Sequence, residues 1–148
     1  MKSNNVTLLK HFISSSEAET MDFATKYLKN ISGGCVLGLI GDLGAGKTVF
    51  ARGIARALGI TENITSPTFV IMKIYDTQNI KIKKLIHIDA YRLSCGEDLE
   101  MIGVSEYFTR QDCLTIIEWP QQVANILPQK MKFIEISNLN IESRKFRF

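Results

Sequence analysis

The pattern of apolar and polar positions changes character along the chain, and each change predicts an element. Cys35–Ile40 (CVLGLI) is apolar without alternation, as a strand buried on both faces requires. Cys113–Trp119 (CLTIIEW) predicts a second buried strand. Upstream, SSSEAETMDFATKYLKNISGG carries a helical period. Ser16 and Glu19 have capping-box spacing, Met21, Ala24, Leu28 and Ile31 form an apolar stripe, and Gly33 ends it. KTVFARGIARALG predicts a second helix, with Phe50, Ile54, Ala57 and Leu58 apolar and Gly59 as its C-terminal cap.

Further along, TFVIMKIYD and IKIKKLIHID are rich in β-branched residues, alternate, and are separated by TQN. They predict a hairpin with Lys81, Lys83 and Lys84 turned to water. GEDLEMIG is a short helix, VSEYF another turn, and PQQVANILP a helical link bounded by prolines. KMKFIEIS and SRKFRF close the chain as strands. Buried strands with helices between them and added hairpins make an α/β fold, with a central, mostly parallel sheet flanked by antiparallel strands.

At 148 residues and 45% hydrophobic, the chain suits one domain, residues 1–148, around one core. A net charge of +3 permits an acidic partner but selects none. Cys35, Cys95 and Cys113 are odd in number and lack C-x-x-C spacing, which suggests reduced structural thiols and a cytoplasmic location. The N-terminus has no long apolar core or small-residue cleavage site, so no leader peptide is expected. No apolar run approaches the length of a membrane span.

What narrows the function is the segment between the first buried strand and the second helix, GDLGAGKT. Gly41, Gly44, Gly46, Lys47 and Thr48 match G-x-x-x-x-G-K-[ST] at every position. Glycines let successive N–H groups turn inward onto phosphate oxygens, and the helix after them adds its positive end. Lys47 has the reach for β- and γ-phosphates, and the Thr48 hydroxyl can ligate Mg²⁺. Such a site also needs an acidic group, and two apolar runs end in one: Glu118 in LTIIEW and Asp89 in LIHIDAYR. His87, Asp89 and Tyr91 share one face if the strand extends that far.

Other positions stay open between roles. Thr68 in SPTF either senses the γ-phosphate and metal or only turns the chain into a strand. Arg92 either neutralises phosphate or pairs with Glu97 or Asp98. Trp119 either packs near the nucleotide or belongs to the core. Arg144, Lys145 and Arg147 alternate with Phe146 and Phe148, as in an amphipathic strand, with an RNA surface the weaker reading.

A regulatory GTPase is set aside because no N-K-x-D segment is present. A small-molecule kinase remains open, with Asp89 as base and Arg92 on the phosphate. So does a partner-regulated ATPase, which the residues slightly favour. Nucleic-acid binding in its own right is a weaker third.

GDLGAGKT, SPTF, HIDAYRL, EDLEMIGVSEYF, IIEWPQ and ILP occur in that order, and with them the chain resembles the TsaE (YjeE) family. The match runs from about Ser16 to Pro128. These are small bacterial ATPases of tRNA threonylcarbamoyladenosine (t6A) biosynthesis. The resemblance implies a P-loop α/β sheet that binds ATP and Mg²⁺. Nucleotide contacts would come from Gly41, Asp42, Leu43, Gly44, Ala45, Gly46, Lys47 and Thr48, with Val49 directly after. Thr48 and Glu118 would hold the metal, and Lys47, Asp89 and Glu118 would be catalytic. Trp119 would lie close to the nucleotide, with Thr68 in the sensing loop, Glu17 by the base and Arg144 nearby. The implied role is an accessory that docks on the TsaD–TsaB pair, touches tRNA only indirectly, and hydrolyses ATP slowly when alone.

Overall fold

The computed structural model describes residues 10–148, so the leader-peptide expectation rests in part on residues outside that range. Seven strands form one sheet: β1 (His11–Ser14), β2 (Val36–Ile40), β3 (Met72–Asp76), β4 (Lys84–Asp89), β5 (Cys113–Glu118), β6 (Lys132–Asn138) and β7 (Arg144–Arg147). Their spatial order is β1-β7-β6-β2-β5-β4-β3. The four central strands β6, β2, β5 and β4 are parallel, while β3 at one side and β7 and β1 at the other are antiparallel. The expected architecture is therefore found, with β6 inside the parallel centre. Both runs read as doubly buried strands are so: β2 and β5 each lie between two parallel neighbours, and every residue of β5 is buried.

Helices α1 (Glu17–Tyr27) and α2 (Lys47–Ala57) pack on one face of the sheet and on each other. Gly53 makes that approach possible, because a Cβ there would lie 2.7 Å from the Ala24 Cβ and 2.8 Å from the Met21 backbone. The α1 start obeys the capping box: the Glu19 N–H donates to the Ser16 hydroxyl at 3.1 Å, and Glu19 accepts from the Ser15 N–H at 2.7 Å. The helix ends earlier than the apolar stripe suggests, giving way to a 3₁₀ turn over Leu28–Asn30. Its buried face is Thr20, Phe23, Ala24 and Tyr27; of the expected stripe Ala24 is fully buried, while Leu28 and Ile31 pack only partly buried against the same core.

Aromatic packing explains the difference. Phe12 of β1 stacks on Phe23 at 4.4 Å, and Phe50, Phe146 and Phe148 complete a cluster around Phe23 and Tyr27. Each large ring removed from water contributes about 1.5–3 kcal/mol, so the helix rotates to bury them. Strand β1 has no counterpart in the apolar pattern; it exists because Phe12 and Ser14 face this core in register with Phe146 and Arg144.

The opposite face carries an aliphatic layer beneath α3 (Glu97–Met101) and α4 (Ser105–Phe108), including Ile86, Ile88, Leu99, Val104 and Ile117. The hairpin β3–β4 forms as expected, but β3 begins at Met72, leaving Thr68–Val70 in a turn. PQQVANILP becomes a 3₁₀ segment over Pro120–Ile126 with a kink at Val123. Among the described residues no helix is long and apolar enough to cross a membrane. The three cysteines are free thiols. Burial pushes Cys35 and Cys113 above the ordinary thiol value, consistent with structural roles.

Candidate nucleotide and metal site

The parallel strands β2, β4 and β5 all end on the same side of the sheet, and the segments that leave them there build one cleft. β2 delivers the glycine loop, Gly41–Gly46. Gly46 has φ 102°, a left-handed conformation that side chains resist, and from there α2 begins directly at Lys47. Loop 66–71, Trp119, the start of α1 and the β6–β7 turn complete a cavity of about 430 Å³.

Lys47 is nearly buried, 5% exposed. Its ammonium donates to the carbonyls of Gly41 at 2.6 Å and Asp42 at 2.7 Å, and lies 4.4 Å from the centre of the Trp119 ring. Burial lowers its affinity for a proton below that of an ordinary lysine, opposed by the charges of Glu118, Asp89 and Asp42. Thr48, on the first turn of α2, donates to Glu118 at 3.0 Å from Oε1 and 3.2 Å from Oε2. Glu118 ends β5 and is 3% exposed. Its Oε1 also meets His87 Nε2 at 2.8 Å.

Asp89 ends β4 directly beside Glu118 in the strand register. Its Oδ2 accepts from the Ser66 hydroxyl and, at 3.2 Å, from the Thr68 hydroxyl; its Oδ1 accepts from the Tyr91 N–H at 2.9 Å. Thr68 thus answers to a carboxylate as well as turning the chain. The strand stops at Asp89, so Tyr91 leaves the face shared by His87 and Asp89 and packs 5.0 Å from Trp119. Trp119 itself has φ 59°, left-handed for a bulky residue.

Most of the residues singled out in the sequence line this one cleft. Leu43, Gly44, Gly46, Lys47, Thr48 and Val49 come from the loop and α2; Glu17, Thr68, Asp89, Glu118, Trp119 and Arg144 come from elsewhere. Gly41 and Asp42 act instead through their carbonyls on Lys47, and Ala45 is buried beneath the loop. Arg144 faces the cleft, but its Nη1 is spent on carbonyls of Asn140, Ile141 and Ser143. Among the described residues Arg92 pairs with neither Glu97 nor Asp98; its guanidinium lies 4.6 Å over the Phe69 ring, outside the cleft lining. Ser16, Thr20, Ser66, Tyr91 and Glu142 also line the cleft, beyond the residues expected there. Ser66 lies within SPTF and Tyr91 within HIDAYR; Glu142 sits in a hairpin turn that carries no sequence signal.

Similarity to known proteins gives the family. A family model described as "Threonylcarbamoyl adenosine biosynthesis protein TsaE" matches residues 14–146. The chain belongs to the TsaE family. It is 38% identical over 118 residues to the tRNA threonylcarbamoyladenosine biosynthesis protein TsaE of Borreliella burgdorferi, covering 80% of this chain and 83% of that one. It is 41% identical over 115 residues to the TsaE of Bacillus subtilis, covering 78% and 69%. Among solved structures it resembles Bacillus subtilis YdiB, with TM-score 0.77 and 32% identity over 95% of this TsaE chain and 86% of YdiB.

Proposed function

We propose that this TsaE-family chain binds ATP and Mg²⁺ in the cleft and hydrolyses the ATP, as a cytoplasmic accessory to the TsaD–TsaB pair in t6A formation. The observation that carries the reading is the contact between Thr48 and Glu118, which joins the start of α2 to the end of β5 beside the glycine loop. A hydroxyl and a carboxylate are hard oxygen donors suited to Mg²⁺, which takes few protein ligands and completes its shell with phosphate oxygens and water.

Bound magnesium would supply neutralisation of phosphate charge and alignment of the γ-phosphoryl group. The chain's own residues do the rest. Lys47 exchanges its two carbonyl acceptors for phosphate oxygens, with the Trp119 ring beside it. The Gly46–Lys47 junction offers the helix start to the phosphates. Asp89, held by Ser66, Thr68 and the Tyr91 N–H, is the second carboxylate available to orient water. Glu17 and Arg144 line the same cleft and are the residues proposed to meet the rest of the nucleotide. A partner seated on the exposed Phe69 and Val70 would act directly on the Asp89 contacts made by Ser66 and Thr68, so slow hydrolysis alone and faster hydrolysis in complex are expected.

The test is ATP turnover with and without Mg²⁺, TsaD–TsaB and a panel of hydroxyl acceptors. Magnesium-dependent release of inorganic phosphate alone, stimulated by TsaD–TsaB, is expected. Phosphate appearing on an acceptor would replace this reading with a small-molecule kinase.

A further inference from the structure

We infer that His87 is a positioning residue that fixes the orientation of the Glu118 carboxylate; the inference rests on reading Glu118 as a metal ligand. His87 lies on β4 and is fully buried. Its Nε2 is 2.8 Å from Glu118 Oε1, which Thr48 also approaches at 3.0 Å. Among the described residues Oε2 has only the longer Thr48 contact, at 3.2 Å. An ionised carboxylate offers no proton, so the imidazole donates through Nε2–H. One carboxylate oxygen is therefore tied to the protein from two sides, and the other is left to bind in the cleft.

The second ring nitrogen shows what this arrangement gives up. His87 Nδ1 is buried and has no hydrogen-bond partner among the described residues. Buried polar atoms are nearly always satisfied, and each exception calls for a reason. A histidine that only filled space would be better replaced by an apolar side chain, which leaves no orphan nitrogen. What an apolar residue cannot supply is the donor to Oε1. Partners that orient a metal ligand in this way typically change metal affinity by about 10–100-fold when removed.

Trp119 is the one tryptophan of the chain and sits 4.4 Å from the Lys47 ammonium, so its emission can report binding in the cleft. The experiment titrates Mg²⁺ into protein held with a non-hydrolysable ATP analogue, and repeats analogue binding in EDTA. His87→Met should raise the Mg²⁺ midpoint by about 10–100-fold while analogue affinity in EDTA stays at the wild-type value. His87→Gln, whose amide returns an N–H toward Oε1, should recover most of the loss. If His87→Met does not fold, His87→Asn takes its place, since its shorter amide falls short of Oε1. Equal midpoints for the asparagine and glutamine variants would overturn the inference. So would a His87→Met midpoint equal to wild type when Glu118→Gln shifts it. A wild-type protein with no Mg²⁺ dependence would overturn the metal reading itself, and the inference with it.

Discussion

Strands β4 and β5 end side by side in Asp89 and Glu118, yet different kinds of structure hold the two carboxylates. Glu118 is tied to Thr48 on α2 and to His87 on β4, both rigid elements packed against the core. Asp89 is tied to Ser66 and Thr68, on a loop that exposes Phe69 at 84% and Val70 at 58%. That loop reaches β3 through Ile71, whose φ of 68° is an outlier for a β-branched residue. A carboxylate held by scaffold keeps its position whatever else happens. Asp89 also takes the Tyr91 N–H, but two of its three donors come from the exposed loop, so a change in that loop changes its hydrogen bonds. The fixed acid therefore suits metal binding, and the loop-coupled acid suits a step that a partner can control.

The largest effect should come from Lys47, whose ammonium sits in the field of both acids. Lys47→Ala should cost about 2–5 kcal/mol in ATP affinity, read by calorimetry; a loss below about tenfold would show that the phosphates lie elsewhere.

The anchors should differ next. Thr48→Ala leaves a nearly buried Glu118 with His87 alone, and should lower stability by about 1.5–3 kcal/mol as the loss of a bond to a charged group. Ser66→Ala leaves Asp89 with two donors, Thr68 and the Tyr91 N–H, against the one left to Glu118, and should cost less than Thr48→Ala. Denaturant unfolding of the two variants reads the contrast, and a reversed order would break it.

Lys47 also sets a pH effect. Burial depresses its pKa from the ordinary 10.5, and the ammonium is the form that binds phosphate. ATP affinity should therefore fall with rising pH before a free lysine would lose its proton, and Lys47→Arg should flatten that alkaline limb. The smallest effect is at Ile71. Glycine relieves a left-handed strain of about 1–2 kcal/mol while losing a half-buried side chain. Ile71→Gly should thus stay within about 1 kcal/mol of the native stability, far from the usual cost of deleting a core isoleucine.

How much of this is legible in the sequence depends on whether local pattern or distant packing decides the residue. The glycine loop, both buried strands and the two terminal acids are readable because their chemistry is written in consecutive residues: GDLGAGKT, LIHID and LTIIE. The face of α1 is not, because Phe23 and Tyr27 answer to Phe12, Phe146 and Phe148, more than a hundred residues apart along the chain for the last two. Strand β1 escapes for the same reason: four residues have no signature without the edge they pair with. In the sequence His87 shows only as part of a strand face; its bond to Glu118 needs the register of β4 against β5. Arg92 shows the reverse limit, since both partners expected from its neighbours give way to the Phe69 ring.

The most direct test of the contrast is Mg²⁺-dependent ATP binding and single-turnover hydrolysis, measured together for Glu118→Gln and Asp89→Asn. Glu118→Gln should raise the Mg²⁺ midpoint of binding strongly. Asp89→Asn should keep the wild-type midpoint and lose phosphate release, with or without TsaD–TsaB. A wild-type midpoint in Glu118→Gln, or an equal shift in both variants, would contradict the division of roles between the two acids.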